Sequence, residues 1–298
     1  MLDGVSLDQL RAFVAAAEAG SFSAAGRRLG RAQSAVSDLI GALEGQIGVR
    51  LFDRSRRYPV LTAEGTILLA DARSVAAGID GMKARARGMA GGLEAELSMV
   101  IDVFFPMAAV TDAAHAFRAR FPATPLRLYV EGLGAAYGPV LDGRASVAVA
   151  GSLSLMPPSL TAERLFGVAM VIVVARDHAL AAHAGVVPAA MLAEHVHLVL
   201  TDRTDLSAGR DFGVAAGPVW RLGDLYARHA FLLNGLGWGG MPAHAVARDV
   251  DEGRLVVLTV EDMPAEGLIL PMAAVYPAAR PPGPAGRWMI ERLRTPLG

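Results

Sequence analysis

Three groups of residues have types and spacings that could do chemistry. The first is Arg31, Gln33, Ser34, Ser37 and Asp38, with Arg54, Arg56 and Arg57 further along. Amides, hydroxyls and guanidinium groups gathered this closely are the donors that read base edges and hold phosphates. The second is Gly235-Leu236-Gly237-Trp238-Gly239-Gly240, which formally satisfies G-x-G-x-x-G. A dinucleotide fingerprint needs a strand before its first glycine and a helix after it. Residues Asp224–Asn234 read as a helix instead, so a tight turn whose backbone and Trp238 approach a cleft is the better description. The third is His195 and His197, with no third ligand nearby, which describes core or surface histidines better than a metal centre. No cofactor and no metal is expected.

Other chemistries are excluded by what the chain lacks. With 0 Cys there are no disulfides, thiolate zinc sites or cysteine nucleophiles. Lys83 is the only lysine, so neither a GK[ST] phosphate loop nor an S-x-x-K nucleophile can exist. H-E-x-x-H and G-x-S-x-G are missing as well, which speaks against an enzyme. The chain is 53% hydrophobic with a mean hydropathy of +0.39, yet much of that is alanine, and no uninterrupted apolar stretch is long enough to span a membrane. The start, Met-Leu-Asp-Gly, lacks the basic-then-apolar layout of a signal peptide, so a cytoplasmic protein is expected.

The elements that must position these residues follow from periodicity. Leu7, Leu10, Phe13, Val14 and Ala17 form one helical stripe, which Gly20 ends. Ser21 or Ser23 can cap a short second helix running to Leu29, closed by Gly30. In a third, Val36, Ile40, Leu43 and Ile47 share a face, with Arg31, Gln33, Ser34 and Ser37 opposite in its first turn. Two helices joined by a tight glycine-containing turn make a helix-turn-helix, whose second helix is free to enter a major groove. Val49–Thr62 alternates around a basic tip, as a two-stranded wing would, and its arginines suit phosphates or a minor groove. One long helix then runs from Thr62 to about Gly88. At about 25 residues it spans roughly 38 Å and needs a partner, for which a second copy is the economical choice. Gly88, Gly91 and Gly92 form a hinge.

From Leu93 onward short apolar runs alternate with helical stretches. Strands are expected at Glu96–Val103, Leu126–Val130, Val147–Ala150, Val168–Ala175, His197–Leu200, Val219–Leu222, Leu255–Val260 and Leu268–Val275. That alternation means an α/β domain with mostly parallel sheets. Its length suits two lobes, with ligands held in the cleft between them. Charge divides along the same line. Of 28 Lys and Arg and 29 Asp and Glu, residues 1–90 hold 12 and 9, leaving 16 and 20 for the rest, a basic head on an acidic body.

Residues 7–66 resemble the winged helix-turn-helix of LysR-type transcriptional regulators. The matching string is Leu7-x-x-Leu10, Phe13, Gly20-Ser21-Phe22-Ser23-Ala24-Ala25, Leu29, Gln33-Ser34-Ala35-Val36-Ser37, Leu43-Glu44, Gly48-Val49-x-Leu51-Phe52-x-Arg54 and Leu61-Thr62-x-x-Gly65. The body resembles the family's effector-binding domain, two Rossmann-like lobes similar to type 2 periplasmic binding proteins, with the glycine-rich turn 235–242 late in the second lobe. The resemblance implies a winged head over residues 1–62, a linker helix and hinge over 63–92, and an effector domain over 93–298. Lobe I would take about 93–165 and 267–298, and lobe II about 166–266. It also implies a homodimer or homotetramer, double-stranded promoter DNA and RNA polymerase as partners, and a small-molecule effector.

DNA contact is expected from Arg31, Gln33, Ser34, Ser37, Asp38, Arg54 and Arg57, although Ser34 and Ser37 could simply cap or solvate their helix. Asp38 stands where the family often has Arg; it would repel phosphate and could at most accept from a cytosine amino group. For the effector, an organic anion is expected, held by Phe104, Phe105, Thr201, Arg203 and Trp238. Arg203 could instead pair with Asp202 or Asp205, and Phe104 and Phe105 could be core. The rival reading is a cytoplasmic small-molecule-binding protein or enzyme with a basic oligomerisation arm.

Overall fold

The computed structural model describes residues 4–55, 58–151, 156–202, 204, 214, 216–261, 263, 264 and 267–295, without the side chains of residues 84, 85 and 87. The chain divides into two compact units, Met1–Arg87 and Gly88–Gly298.

The first unit begins with three helices, α1 (Leu7–Ala19), α2 (Phe22–Leu29) and α3 (Gln33–Ile47). Ser6 and Gln9 open α1 with a reciprocal capping box, and the Ser21 side chain accepts from the Ala24 amide to open α2. Val36, Ile40 and Leu43 of α3 are fully buried, as their spacing requires, whereas α1 is rotated from its expected stripe. Only Phe13 of that stripe is buried; Gln9, Ala12, Ala15 and Ala16 fill the rest of the inner face. Alanines let α2 and α3 approach closely, and Leu10 and Val14 cover the margin of the core. Strands β1 (Phe52–Asp53) and β2 (Val60–Leu61) pair antiparallel as the wing. Phe52 meets the rings of Phe13 and Phe22 edge-on at 5.8 and 5.3 Å.

Helix α4 (Ala63–Ala90) follows, and at 28 residues it runs past Gly88, where the sequence predicts an end. Leu68, Ala72, Val75, Ile79, Met82, Ala86 and Met89 recur along it at alternating spacings of four and three, a heptad seam. Val75, Met82 and Met89 on that seam are exposed. The turn into α4 explains Gly65. Thr62 Oγ1 donates to the Arg50 carbonyl at 2.7 Å and accepts from the Gly65 amide at 2.8 Å. A Cβ on Gly65 would stand 2.2 Å from the Leu51 carbonyl oxygen.

The second unit is built on one mixed sheet. Its first part holds β3 (Leu97–Asp102), α5 (Met107–Arg120), β4 (Leu126–Glu131), α6 (Gly138–Leu141) and β5 (Val147–Gly151). Strand β6 (Leu160–Ala175) then crosses into β7 (Val186–Val187), α7 (Ala189–Leu192), β8 (His197–Leu200), β9 (Val219–Leu222), α8 (Leu225–Leu233), β10 (Gly239–Pro242), α9 (Ala243–Asp251) and β11 (Leu255–Val260). Strand β12 (Leu268–Pro277) returns and α10 (Pro284–Leu293) closes the chain. The strand order is β4-β3-β5-β12-β6-β11-β7, with β10 also on β6, and β8-β9 forming a separate pair.

Two sequence expectations are corrected here. The sheet is not mostly parallel: β5-β12-β6-β11 is antiparallel throughout. β6 carries the chain from one lobe to the other and β12 carries it back, so the two run opposite ways. The ladder is irregular between Pro271 and Ala273, where proline offers no amide. Second, Gly239–Pro242 is a strand, not part of a turn, and no helix follows the glycines directly. Gly237 and Gly239 lie against β8: their Cβ atoms would sit 2.2 and 2.8 Å from the carbonyl oxygens of Val196 and Leu198. The glycines therefore serve backbone approach between strands, not a pyrophosphate. Among the described residues no helix is long and apolar enough to cross a membrane.

Glycines of similar local conformation should respond oppositely to alanine. Gly65→Ala must displace backbone and should cost about 1–3 kcal/mol. Gly41 of α3 has open space where a Cβ would go, so Gly41→Ala should stabilise the head by about 0.5–1 kcal/mol. All 3 Trp lie in the second unit, so hydrogen exchange of α3 amides in the intact protein is the measurement. Equal protection in both variants would contradict the packing described.

Candidate nucleic-acid interface and inter-lobe cavity

In the head, α3 presents Gln33, Ser34 and Asp38 to solvent, with Ser37 half-buried beside them. The capping alternative for the two serines does not hold, because the N-cap is Ala32 and no side chain hydrogen-bonds to that helix end. Free amide donors and the positive end of the helix dipole are thus left open to an anion. Arg31 pairs with Asp8 at 2.6 Å, both exposed.

Glu44 ties the wing to α3. Its carboxylate accepts from the amides of Leu51 and Phe52 at 2.8 and 3.1 Å, and from Arg54 Nη2 at 2.9 Å. Arg54 also lies over the Phe22 ring, 5.3 Å from its centroid. Arg54 is therefore positioned rather than free, with its side chain 45% exposed. Arg57 lies outside the described residues. Sequence reasoning passed over Arg27 and Arg28, exposed in the last turn of α2, and the exposed Arg50 before the wing. Their signal was simple: cations at the end of the helix that precedes the recognition helix, and at the base of the hairpin.

In the second unit a cavity of about 230 Å³ lies between the lobes. Val103, Val130 and Gly132 line it from lobe I, and Leu200, Thr201, Gly223, Asp224 and Leu225 from lobe II. Thr201 is thus on the wall, and Arg203 lies outside the described residues. Phe104 is buried next to Val103, with its ring facing the Arg228 guanidinium. Phe105 instead enters the lobe I core, 4.9 Å from the Phe166 ring, because the turn after β3 sends successive side chains to opposite sides. Trp238 is core as well. It stacks on His197 with centroids 3.9 Å apart, and its Nε1 donates to the Leu192 carbonyl. His195 sits apart from this pair, edge-on to His178. Among the described residues no cluster of three metal-binding side chains exists.

One carboxylate bridges the cleft. Asp202 Oδ2 accepts from the Gly134 amide of lobe I at 3.0 Å, while Oδ1 accepts from the Thr204 amide and hydroxyl at 2.9 Å. Leu133, beside that amide, has φ 55, a left-handed conformation that costs a branched residue energy. At the end of β3, burial pushes Asp102 up to about 6, against the amides of Phe104 and Gly151 that favour its charged form. Burial, with the charge of Arg228, pulls His197 down to about 4.

An exposed helix-turn-helix with a wing, and a two-lobed α/β domain with a cavity at its strand ends, define a ligand-responsive DNA-binding regulator. Residues 7–66 match the model of the bacterial regulatory helix-turn-helix protein, lysR family, and residues 90–297 that of the LysR substrate binding domain. The chain belongs to the LysR family of transcriptional regulators. It is 29% identical over 291 residues to an uncharacterized HTH-type transcriptional regulator, YnfL, of Escherichia coli K12, covering 95% of this chain and 96% of that one. It is also 29% identical over 245 residues to the regulator AceR of Acinetobacter baumannii, covering 80% and 79%. The fold is shared with OxyR of Corynebacterium glutamicum, with a TM-score of 0.55 at 22% identity over 97% of this chain and 91% of that one. The protein is accordingly a transcriptional regulator and not an enzyme, with promoter DNA and a small-molecule effector as partners, and it works as an oligomer.

The two shifted groups act oppositely on stability. Asp102 binds its proton more tightly folded than unfolded, so its contribution falls as pH rises from about 4 to about 6. His197 binds its proton less tightly when folded, so its contribution is lost as pH falls from about 6.5 towards 4. In the parent these slopes offset each other. Asp102→Asn should remove the first and leave the second, so that urea stability of the second unit, followed by tryptophan fluorescence, drops between pH 7 and pH 5 where the parent's is nearly flat. A parent and variant with the same pH profile would contradict the assignment.

Proposed function

We propose that α3 enters a major groove of promoter DNA through Gln33, Ser34, Ser37 and Asp38, while Arg31, Arg54 and Arg57 hold the flanking phosphates. The observation that carries this reading is the uncapped N-terminus of α3, with polar side chains exposed on it and a wing arginine fixed alongside by Glu44. Backbone amides there would take a phosphate, and hydroxyl and amide side chains would meet base edges. Head, linker helix and effector domain are assigned to residues 1–62, 63–92 and 93–298. The exposed heptad seam of α4 supports pairing of two copies, as a dimer or within a tetramer. The effector occupies the inter-lobe cavity and shifts the population of lobe arrangements, and with it the bend imposed on DNA. RNA polymerase is the further partner and the cytoplasm the place of action.

Gel shifts on the inverted repeats upstream of the chain's own gene test the head. Arg54→Ala should weaken binding on every sequence and reduce the salt slope by about 1. Ser37→Ala should change base preference instead, by roughly 1 kcal/mol at one position. Asp38→Arg should strengthen binding to generic duplex, since it replaces a repelled carboxylate by a cation. Parental behaviour of all three variants in a salt titration would remove α3 and the wing from the interface.

A further inference from the structure

Among the described residues, the only sealed side-chain nitrogens or oxygens without a hydrogen-bond partner are Nε and Nη2 of Arg228. The residue is 6% exposed, and burial pulls its pKa down to about 10, which still leaves it charged at neutral pH. A buried guanidinium with idle donors is a cost to the fold. The two idle atoms are not an arbitrary pair. Nε and Nη2 form the edge of the guanidinium whose N–H bonds point the same way, and that edge matches the two oxygens of a carboxylate.

Its position adds the second argument. Arg228 lies one turn into α8, and helical side chains lean towards the helix N-terminus, here Asp224 and Leu225, which line the cavity. From the opposite lobe Phe104, next to the cavity residue Val103, places its ring 5.6 Å from the guanidinium carbon. The arginine is thus at the meeting of both lobes, behind a space of about 230 Å³ to which Val103, Val130, Leu200 and Leu225 give apolar side chains and Thr201, Asp224 and two glycines give polar groups. Asp224 adds a negative charge at the cavity, which disfavours a second anionic group on the ligand.

Resting on the reading of this cavity as the effector site, we infer that Arg228 is its anion receptor and that the effector is a small monocarboxylate with a compact apolar body. Arg228 is not itself on the cavity wall, and its Nε/Nη2 edge is sealed in the ligand-free protein. The carboxylate therefore reaches that edge from the cavity as the Phe104 ring moves off the guanidinium, while the body packs on Val103 and Val130 of lobe I. Occupancy therefore joins the lobes.

The test uses the full-length protein and calorimetric titration with benzoate and isovalerate, against benzamide, isovaleramide and inorganic phosphate. The acids should bind and raise Tm, and the amides and phosphate should not. Arg228→Lys keeps the charge but loses the fork, and should weaken the acids roughly 10- to 100-fold. Arg228→Met should abolish binding while raising the Tm of the ligand-free protein, because an unpaired buried charge is removed. If the Met variant does not fold, the Lys variant still decides. Leu225→Trp fills the cavity and should abolish binding. Acids that bind the Met or Lys variant as they bind the parent, while Leu225→Trp blocks them, leave the cavity reading standing and overturn the role of Arg228. Acid binding that survives Leu225→Trp overturns the cavity reading itself. Failure of both acids on the parent, equal binding of the amides, or binding of phosphate in place of the acids overturns the ligand class.

Discussion

The antiparallel ladder between β6 and β12 is the constraint on which the effector domain depends. It runs from Leu160 opposite Pro277 to Met170 opposite Leu268, and strands of both lobes are added to it. β5 extends it on the lobe I side, and β10 and β11 take the far end of β6. Neither lobe completes its sheet without these two strands, so the lobes share hydrogen bonds rather than merely a linker. Two crossing strands are also a compliant joint: they can twist while keeping their register, which a close-packed core cannot. The cavity lies where the strand ends of both lobes face each other, and its shape follows from that twist.

In the head the corresponding part is a single side chain. Glu44 spends one carboxylate on two wing amides and one arginine, and it sits about two to three turns along α3 from Ser37 and Gln33, on the same side of the helix. A half-buried carboxylate with three donors fixes the wing relative to α3 more tightly than a two-residue strand pair could. Arg54 is thereby preorganised, and in the proposed DNA complex less side-chain entropy would be lost on meeting a phosphate. Exchanging the Glu44 ion pair for a phosphate contact would cost part of that gain, which on the proposed reading makes the wing a geometric guide as much as a source of affinity.

The head was legible in the sequence nearly residue by residue because its signals are local: caps, helix-ending glycines and a four-three apolar spacing in α3. Even there the buried face of α1 was misread, since Leu10 and Val14 carry the hydrophobic weight while small alanines make the close contacts. In the effector domain, strands that are continuous apolar runs, such as His197–Leu200 and Leu255–Val260, were found at their observed ends. The first half of β6 was not, because Thr161, Glu163 and Arg164 interrupt the apolar pattern where one side of the ladder is wet. The direction of strands is not a local property at all, which is why the antiparallel centre escaped. Trp238 and Phe105 look like ligand-facing aromatics by position, but burial against His197 and Phe166 decides otherwise. Arg228 escaped for a related reason: nothing in the string Leu-Tyr-Ala-Arg-His distinguishes a buried arginine from an exposed one.

The contacts across the cleft carry opposing energies. A hydrogen bond from the Gly134 amide to a carboxylate contributes about 1.5–3 kcal/mol. The left-handed Leu133 beside it takes back about 1–2 kcal/mol. Arg228 adds a cation–π contact across the lobes of about 2 kcal/mol when desolvated, against the larger cost of its two idle donors. These terms oppose one another, so the contacts named here do not by themselves hold the lobes in one arrangement. Moving a two-state protein from one extreme to the other takes about 5.5 kcal/mol of differential ligand affinity. A ligand that satisfies a buried guanidinium and covers apolar walls on both sides can supply energy of that order. A cleft held by stronger contacts would close without its ligand, and one with no latch would carry no signal when the ligand left.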